Sequence, residues 1–378
     1  MVTSEYAVPH TFMSPHERTL AALRRQTPDR APVFCFCSEE SPGTSAEFRH
    51  FVMTHADVFY TRPLFAGFQC TGQEPLKTDS ELDEGWIETC YSFPEGIQFT
   101  EVSKKGDTGD YIGYRKHLFE NRKDIERVLS VPFLPPEGNP RLDAWLAELH
   151  AFAARSQRDA FFRIAFLGPL GTLAGSIGPA DFAILALEEQ QIVRRYLDVC
   201  LERQHAYLDY ILPRLRVPVI MNIGGAEYAI PPLMPPSAFT RYIEPYDGPL
   251  IRLIHRHGAL VYYHSHGKVR QFLPRFIAMG SDGIHPLEPV GATGDCDLAE
   301  VKRELGRDIC LIGNIQYDDL ARATPRDLQR IVRDTLRVGS EGGGFILSPS
   351  CTPYHCPMPR AVEENIMTFI ETGLRYGS

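Results

Sequence analysis

From residue 160 onward, short apolar runs alternate with helical stretches, and this alternation restricts the possible folds more than any other feature of the chain. Runs that are apolar throughout are typical of strands buried on both faces of a sheet. Because helical segments separate them, the pattern predicts a parallel sheet covered by helices. The predicted strands are 161–167, 217–223, 259–264, 283–287, 309–313 and 344–348. The predicted helices between them are 181–212, 236–257, 268–279, 298–305 and 325–339.

Two more strands, at 31–37 and between residues 60 and 100, would bring the number to eight. The sequence therefore predicts an α/β fold of the closed (β/α)8 TIM-barrel type, with an open doubly wound sheet as the main alternative. No glycine-rich turn joins a strand to a helix, which disfavours a dinucleotide-binding sheet. We expect the whole chain, 1–378, to form a single barrel domain.

Two further segments are predicted to decorate this barrel. An N-terminal helix begins after Ser14, with Pro15 at its first position and Glu17 at the spacing of a capping box. Short alternating stretches separated by turns at 86–119 predict an antiparallel β-meander that is inserted into the barrel or covers it.

The composition excludes several classes of protein. With 39 basic and 48 acidic residues the net charge is −9, and no basic stripe is present that could neutralise a nucleic-acid backbone. No apolar run reaches the roughly 18 residues of a membrane span, and residues 1–10 lack the features of a secretory signal. Nine scattered cysteines indicate free thiols in a reducing compartment. We expect a cytoplasmic protein that acts on a small molecule and has neither nucleic acid nor membrane as a partner.

Side chains that can bind a metal follow the predicted strands at their carboxyl ends. His264 and His266 are two residues apart on an extended segment, so both rings face the same side. Cys351 follows a distant strand and would supply a third ligand. Three such ligands with an open fourth position form the pattern of a catalytic zinc site. The alternative, that the two histidines only form hydrogen bonds in a rim loop, stays open at this point.

The same His-x-His-Gly string occurs at 255–258, where it ends a predicted helix. There Gly258 suits the position after the helix end, and histidines are favourable near the negative end of the helix dipole. We interpret that copy as a helix cap. The position at a strand end, rather than the string itself, is what singles out His264 and His266.

Other candidates lie at the same predicted rim. Four of them could take part in catalysis, namely Glu227, His285, Glu288 and Asn314. Three more, Gly168, Tyr228 and Gly313, would shape a pocket for a cofactor. For Glu227 a loop salt bridge is the alternative to a role as acid, base or metal ligand. His355 and Cys356 share a loop with Cys351 and could replace a ligand, whereas Cys35 and Cys37 fit a buried strand better than a chelating pair.

Several segments resemble the uroporphyrinogen decarboxylase superfamily, which includes the zinc-dependent methylcobamide:thiol methyltransferases. The segments that carry the resemblance are 27–33, 168–175, 235–239, 245–246, 263–267 and 313–315. The resemblance implies a (β/α)8 barrel and is compatible with a homodimer. True decarboxylases of that superfamily have an arginine-rich segment after the first strand. Residues 36–41 are acidic at that place, which favours the methyltransferase branch.

In the methyltransferase branch, zinc is bound by a His-x-Cys pair and a distant cysteine. By this resemblance His264 is the first ligand and Cys351 the last, whereas His266 stands where a cysteine is expected. Two imidazoles and one thiolate would leave the zinc site with a charge of +1, which makes it a stronger Lewis acid. The resemblance implies Zn²⁺ as cofactor, a thiol or similar acceptor, and a corrinoid or corrinoid protein as methyl donor or acceptor.

Two other functions remain open. A decarboxylase or lyase of a small carboxylic acid would need cationic groups, for which Arg30, Arg62 and Lys268 are the candidates. A non-catalytic relative that binds a small metabolite or a corrinoid protein is the second alternative.

Overall fold

The architecture consists of two separate sheets with surrounding helices, in a computed structural model that describes residues 13–38, 40–57, 59–64, 68–105, 112–155, 161–353 and 355–377. Within these residues one sheet is parallel, curled and seven-stranded, and the other is antiparallel and four-stranded. The strands are β1 (Phe59–Pro63), β2 (Leu76–Glu81), β3 (Ile87–Ser92), β4 (Gln98–Lys105), β5 (Ile112–Lys116), β6 (Phe161–Leu167), β7 (Val219–Gly224), β8 (Leu260–His264), β9 (Gly283–His285), β10 (Cys310–Ile315) and β11 (Phe345–Pro349). The parallel sheet has the order β1-β6-β7-β8-β9-β10-β11.

Helices surround the parallel sheet, and the first helix packs with its inner cluster. They are α1 (Pro15–Leu23), α2 (Ala46–His55), α3 (Arg122–Ser130), α4 (Pro140–Arg155), α5 (Pro169–Ile177), α6 (Pro179–Glu188), α7 (Gln190–Ile211), α8 (Ser237–Tyr242), α9 (Glu244–Arg256), α10 (Leu273–Met279), α11 (Leu298–Leu305), α12 (Tyr317–Arg322), α13 (Pro325–Gly339) and α14 (Arg360–Tyr376). The predicted capping box of α1 is present, since Ser14 Oγ accepts from the Glu17 amide and the Glu17 carboxylate accepts from the Ser14 amide.

The six strands predicted after residue 160 are all present. β6 has the predicted bounds, and the other five differ by no more than two residues at either end. β1 supplies the strand expected between residues 60 and 100. The prediction of parallel pairing is confirmed for every neighbouring pair of this sheet.

The predicted strand at 31–37 is wrong as a regular strand, and the described part of the sheet does not close into a barrel. Only Val33 forms a bridge, to Leu347 of β11. Pro32 has no N–H to donate, and the Val33 amide donates to the Asp57 carboxylate at 2.8 Å instead of to a neighbouring strand. The Asp57 amide in turn donates to the Val33 carbonyl at 2.9 Å, so on this side Val33 pairs with Asp57, whereas on the other side Pro32 and Phe34 bond to Leu347 of β11.

Several predicted helices are divided. The predicted helix 181–212 breaks at Glu189 into α6 and α7, and 236–257 breaks at Ile243 into α8 and α9. The predicted helix 268–279 is reduced to α10, preceded by a short 3-10 turn. Prolines lie in the first turns of α9 and α10, where the missing N–H costs nothing, and they favour new helix starts at these points.

The predicted meander is an antiparallel sheet, β2-β3-β4-β5, and it is longer than expected. It begins at Leu76 rather than at residue 86. The sequence did not predict β2, because all side chains of this strand are exposed and it lacks the alternation that marks a half-buried strand. Phe99 of β4 packs edge-on against Phe119, which belongs to the main apolar core. The His117 ring lies against Gly178, between α5 and α6. The sheet is thus packed onto the main body of the protein.

The two faces of the parallel sheet have different neighbours. The outer face packs on the helices in the large core, and the inner face forms a smaller cluster inside the curled sheet. The inner cluster includes Phe34, Phe161, Ile220, Tyr262, Cys310, Ile312 and Ile346. Among the described residues no single helix is long and apolar enough to cross a membrane; α5 and α6 reach that length and composition only together, and they are bent by 114°.

Candidate active site

The carboxyl ends of β7, β8 and β9 lie side by side because the three strands pair in parallel. Gly224 pairs with His264, and His264 pairs with His285. The two histidines end their strands, and their ring centroids are 4.9 Å apart. Ligand sites in sheets of this kind lie at the carboxyl ends of the strands. This edge is therefore the candidate active site.

The two histidines are linked by a hydrogen bond whose direction can be assigned. His285 Nε2 is 2.9 Å from the Pro349 carbonyl, which can only accept, so Nε2 carries a proton. His285 Nδ1 then holds a lone pair and accepts from His264 Nδ1 at 2.8 Å. The remaining nitrogen of His264, Nε2, consequently has a free lone pair. This is the tautomer that a metal ligand or a base requires.

Both rings are held in the neutral state by their surroundings. Burial lowers the pKa of His285 to about 3. Burial, followed by the neighbouring His285, His266 and Arg163, holds the pKa of His264 well below its usual range. At neutral pH neither ring is protonated twice, so the hydrogen-bond direction is preserved.

His266 forms a second pair with Glu288. Its Nδ1 is 3.5 Å from Glu288 Oε1, and Glu288 Oε2 accepts from the Gly267 amide at 2.8 Å. Burial opposes the charge on both groups. The hydrogen bond between them nevertheless raises the pKa of His266 and lowers the pKa of Glu288. The rings of His264 and His266 are 4.7 Å apart, so the two pairs form one cluster.

Glu227 lies in the 3-10 helix Ala226–Ala229 that follows β7. Its Oε2 is buried without a hydrogen-bond partner among the described residues. Burial raises the pKa of this carboxyl, although the nearby His266 opposes the shift. An acid of raised pKa with one unpartnered oxygen is suited to exchanging a proton with a substrate. The loop salt bridge that was the alternative for Glu227 is not seen in the described residues.

Cys351 lies just after β11 and is partly buried. Burial raises the pKa of its thiol to about 11, with Glu288 contributing to the same direction and Ser350 opposing it. Of the His266–Glu288 pair, Glu288 thus acts on the Cys351 thiol. Among the described residues, however, no three histidine, cysteine or acidic side chains converge at distances suited to a metal ion.

The remaining candidates have structural neighbours of their own. Gly168 faces Asp247 of α9, and Gly313 faces the Pro286 carbonyl; in both places a Cβ atom would overlap these oxygens. Asn314 is buried. Tyr228 is partly buried, and burial together with Glu227 raises its pKa.

The other His and Cys candidates contact groups outside the cluster. His355 Nδ1 is 2.9 Å from the Tyr317 hydroxyl, and Cys356 packs against Gly43. His255 pairs with Asp282 at 2.8 Å and His257 with Asp209 at 2.9 Å. Gly258 follows the end of α9 with a φ of +77°, as expected for a helix cap. Cys35 and Cys37 are buried and free, as the sequence indicated.

Two of the buried ionisable groups that sequence reasoning missed lie near the candidate site. Arg163 interrupts the otherwise apolar β6 on its inner face, and Asp247 lies in α9 with its carboxylate accepting from the Tyr263 hydroxyl. An arginine inside a strand buried on both faces was the available signal for the first. There was no signal for Asp247 in the sequence, because an acidic residue in the first turn of a helix is ordinary.

Two of the cations proposed for a carboxylate are already paired. Arg30 binds Asp57 at 2.7 Å, and Arg62 binds Glu40 at 2.8 Å. Lys268 is exposed. None of the three thus offers a buried, unpaired charge to a substrate.

Comparison with known proteins agrees with the geometry. No curated protein matches the sequence. Among solved structures, a methyltransferase from Methanosarcina mazei has the same fold, with a TM-score of 0.63 and 16% identity over 97% of this chain and 100% of the other. The family model for uroporphyrinogen decarboxylase (URO-D) matches residues 115–376. The chain therefore belongs to the uroporphyrinogen decarboxylase family.

Proposed function

We propose that the protein is a zinc-dependent methyltransferase that moves a methyl group between a corrinoid, or another methyl donor, and a thiol or similar acceptor. The observation that carries the proposal is the free lone pair on His264 Nε2, which the hydrogen bonds from His264 through His285 to the Pro349 carbonyl impose. The name of the M. mazei structure, which covers nearly the whole chain, supports the same class of reaction.

The donor set fits zinc in its chemistry. His264 and His266 offer imidazole nitrogens and Cys351 a thiol, which are the ligands that zinc prefers. His285 fixes the tautomer of His264 as the partners of metal-bound histidines do. Bound Zn²⁺ would supply a Lewis acid that lowers the pKa of an acceptor thiol. The three side chains would have to approach one another on binding, because the described residues contain no preformed three-ligand site.

The chain's own residues have separate tasks in this proposal. Glu227, with its unpartnered buried oxygen, takes the proton that the acceptor loses. Glu288 holds His266 in place through their ion pair, whose N–O distance is 3.5 Å. Leu167, at the end of β6, is 45% exposed beside Gly224 and offers an apolar wall for the methyl group.

The test compares two histidines from the two copies of the His-x-His-Gly string. Purified wild type and the variants His264→Ala and His257→Ala are analysed for zinc and assayed spectroscopically with methylcobalamin and a set of thiols. We expect about one zinc per chain and methyl transfer in wild type and in His257→Ala, and loss of both in His264→Ala.

Three results would replace the proposal. An active wild type that is free of metal removes zinc from the reaction. Release of carbon dioxide from a small acid without any methyl donor indicates the decarboxylase alternative. Binding of a corrinoid or metabolite that resists chelators, with no turnover of any methyl donor, indicates a non-catalytic relative.

A further inference from the structure

Arg163 is a buried cation without an anionic partner in the part of the chain that the structure describes. The residue lies on the inner face of β6 and is only 9% exposed. Its Nη1 donates to the Tyr262 hydroxyl at 3.2 Å, and its Nε is buried with no hydrogen-bond partner among the described residues. The guanidinium carbon lies 4.8 Å from the centre of the Phe36 ring and 5.8 Å from that of Phe34.

These contacts do not compensate for the buried charge. Removal of an ion from water is costly, and a cation–π contact recovers only part of that cost. Arg18 shows how this chain treats a buried arginine that has only a structural role, since it is paired with both Asp29 and Asp57 at 2.6 Å. Arg163 forms no ion pair with any described residue.

The guanidinium lies next to the candidate active site. The Phe36 ring contacts both groups. Its centre is 4.8 Å from the guanidinium carbon of Arg163 and 5.3 Å from the centre of the His285 ring. The Tyr262 ring, whose hydroxyl accepts from Arg163, lies 6.4 Å from His285. An anion on Arg163 would therefore be inside the curled sheet, beneath the histidine cluster.

The free donors of Arg163 specify the shape of that anion. One of the two N–H groups of Nη1 donates to Tyr262, whereas Nε has no partner among the described residues, so the edge formed by Nε and Nη2 is available to an anion. That edge presents two parallel N–H groups and matches the two oxygens of a carboxylate.

We propose that Arg163 binds the carboxylate of a small carboxylic acid substrate, with Tyr262 holding the guanidinium in place. The substrate then extends from Arg163 towards His264, and its reacting group lies at the rim. The identity of the reacting group depends on the proposed function. The carboxylate site depends only on the position and contacts of Arg163.

The test uses equilibrium binding without any methyl donor. The probes are propionate and its neutral isostere propionamide, measured by calorimetry on wild type, Arg163→Leu, Arg163→Lys and Arg62→Leu. Arg62 is the matched control because it lies one residue away on the neighbouring strand β1, opposite Ile164, and is paired with Glu40. We expect saturable binding of propionate but not of propionamide, about a tenfold or greater loss in Arg163→Leu, a smaller loss in Arg163→Lys, and no change in Arg62→Leu.

Equal affinity for propionate in wild type and Arg163→Leu, or no saturable binding by wild type, overturns the proposal. If Arg163→Leu does not fold, Arg163→Lys and Tyr262→Phe test the proposal instead. Unchanged propionate affinity in both variants would contradict a carboxylate site formed by the guanidinium of Arg163. Propionate has no thiol, and its methyl group is held by a carbon–carbon bond that methyl transfer does not break, so its binding is independent of zinc and of methyl transfer. Failure of the proposed function would leave this result unchanged.

Discussion

His264 Nδ1 and His285 Nδ1 lie 2.8 Å apart, and the proton between them belongs to His264. The assignment follows from the Pro349 carbonyl, which fixes the proton of His285 on the other nitrogen. A backbone carbonyl three strands away from His264 in the sheet thus determines which nitrogen of His264 carries the proton and which keeps a lone pair.

Replacement of His285 is expected to impair the site without unfolding the protein. In His285→Phe the ring volume is kept, but His264 loses the acceptor that fixes its tautomer. We expect zinc affinity and kcat/KM for methyl transfer to fall by about 10–100-fold, as for other partners of metal-bound histidines. Zinc titration with a competing chelator and steady-state kinetics measure the two quantities.

His255→Phe serves as the control for this substitution, since His255 pairs with Asp282 at the end of α9. It should leave zinc affinity unchanged. Equal zinc affinity in His285→Phe and wild type would show that the hydrogen bond to His285 does not prepare His264 for a metal.

Asp247 is expected to make stability depend on pH. Burial raises the pKa of Asp247 from 3.8 to about 7, so folding favours its neutral form. The resulting stabilisation is complete below about pH 4 and is lost as pH rises towards 7. The loss is on the order of 4 kcal/mol at 1.36 kcal/mol per pKa unit. Urea unfolding between about pH 4 and pH 8 measures it.

The comparison variant for Asp247 is Asp247→Asn, which keeps an oxygen for the Tyr263 hydroxyl but has no proton to lose. The free energy of unfolding of wild type relative to Asp247→Asn should fall across this pH range. Parallel pH profiles for the two proteins would mean that Asp247 is ionised in the folded state throughout.

Cys351 is expected to be unreactive until a metal binds. Because the pKa of its thiol is raised to about 11, its alkylation by iodoacetamide in chelator-treated protein should increase about tenfold per pH unit between pH 7 and 9. Addition of Zn²⁺ should release a proton and protect Cys351 from alkylation. Mass spectrometry of the labelled peptide measures this, with Cys356 in the same loop as internal reference. Labelling of Cys351 that Zn²⁺ leaves unchanged would argue against its role as ligand.

Local patterns were sufficient to predict most of the fold. Apolar runs and helical periodicity located the strands from β6 to β11 within two residues at either end. The segment at 31–37 was predicted wrongly because its outcome depends on Asp57, more than twenty residues away, whose carboxylate takes the Val33 amide. Such a long-range side-chain contact leaves no trace in the local pattern.

For the candidate site, the sequence located strand ends but not lateral contacts. His264, His266 and Glu288 were expected at one rim, and the structure brings them together. The contact between His264 and His285 depends on the register of β8 against β9, which a single sequence does not encode locally. The arginine within the apolar run of β6 was a local signal, but its contact with Tyr262 depends on the curl of the sheet, which the local pattern does not encode.

Gly168 provides a test of packing behind the site. Its φ of −60° suits any residue, so the cost of Gly168→Ala comes from the overlap of the new Cβ with the Asp247 carboxylate. We expect a loss of about 1–3 kcal/mol in the free energy of unfolding. Gly291→Ala is the matched control, since only the Pro289 carbonyl, at 3.8 Å, lies near its Cβ position.

A double substitution separates this overlap from other causes. Asp247→Ala removes the carboxylate that the new methyl group would meet, so Gly168→Ala should cost much less in that background than in wild type. The difference between the two costs is the coupling free energy of the pair, which a double-mutant cycle measures by urea unfolding. If Gly168→Ala lowered the free energy of unfolding equally in both backgrounds, Asp247 would not be the group that restricts position 168.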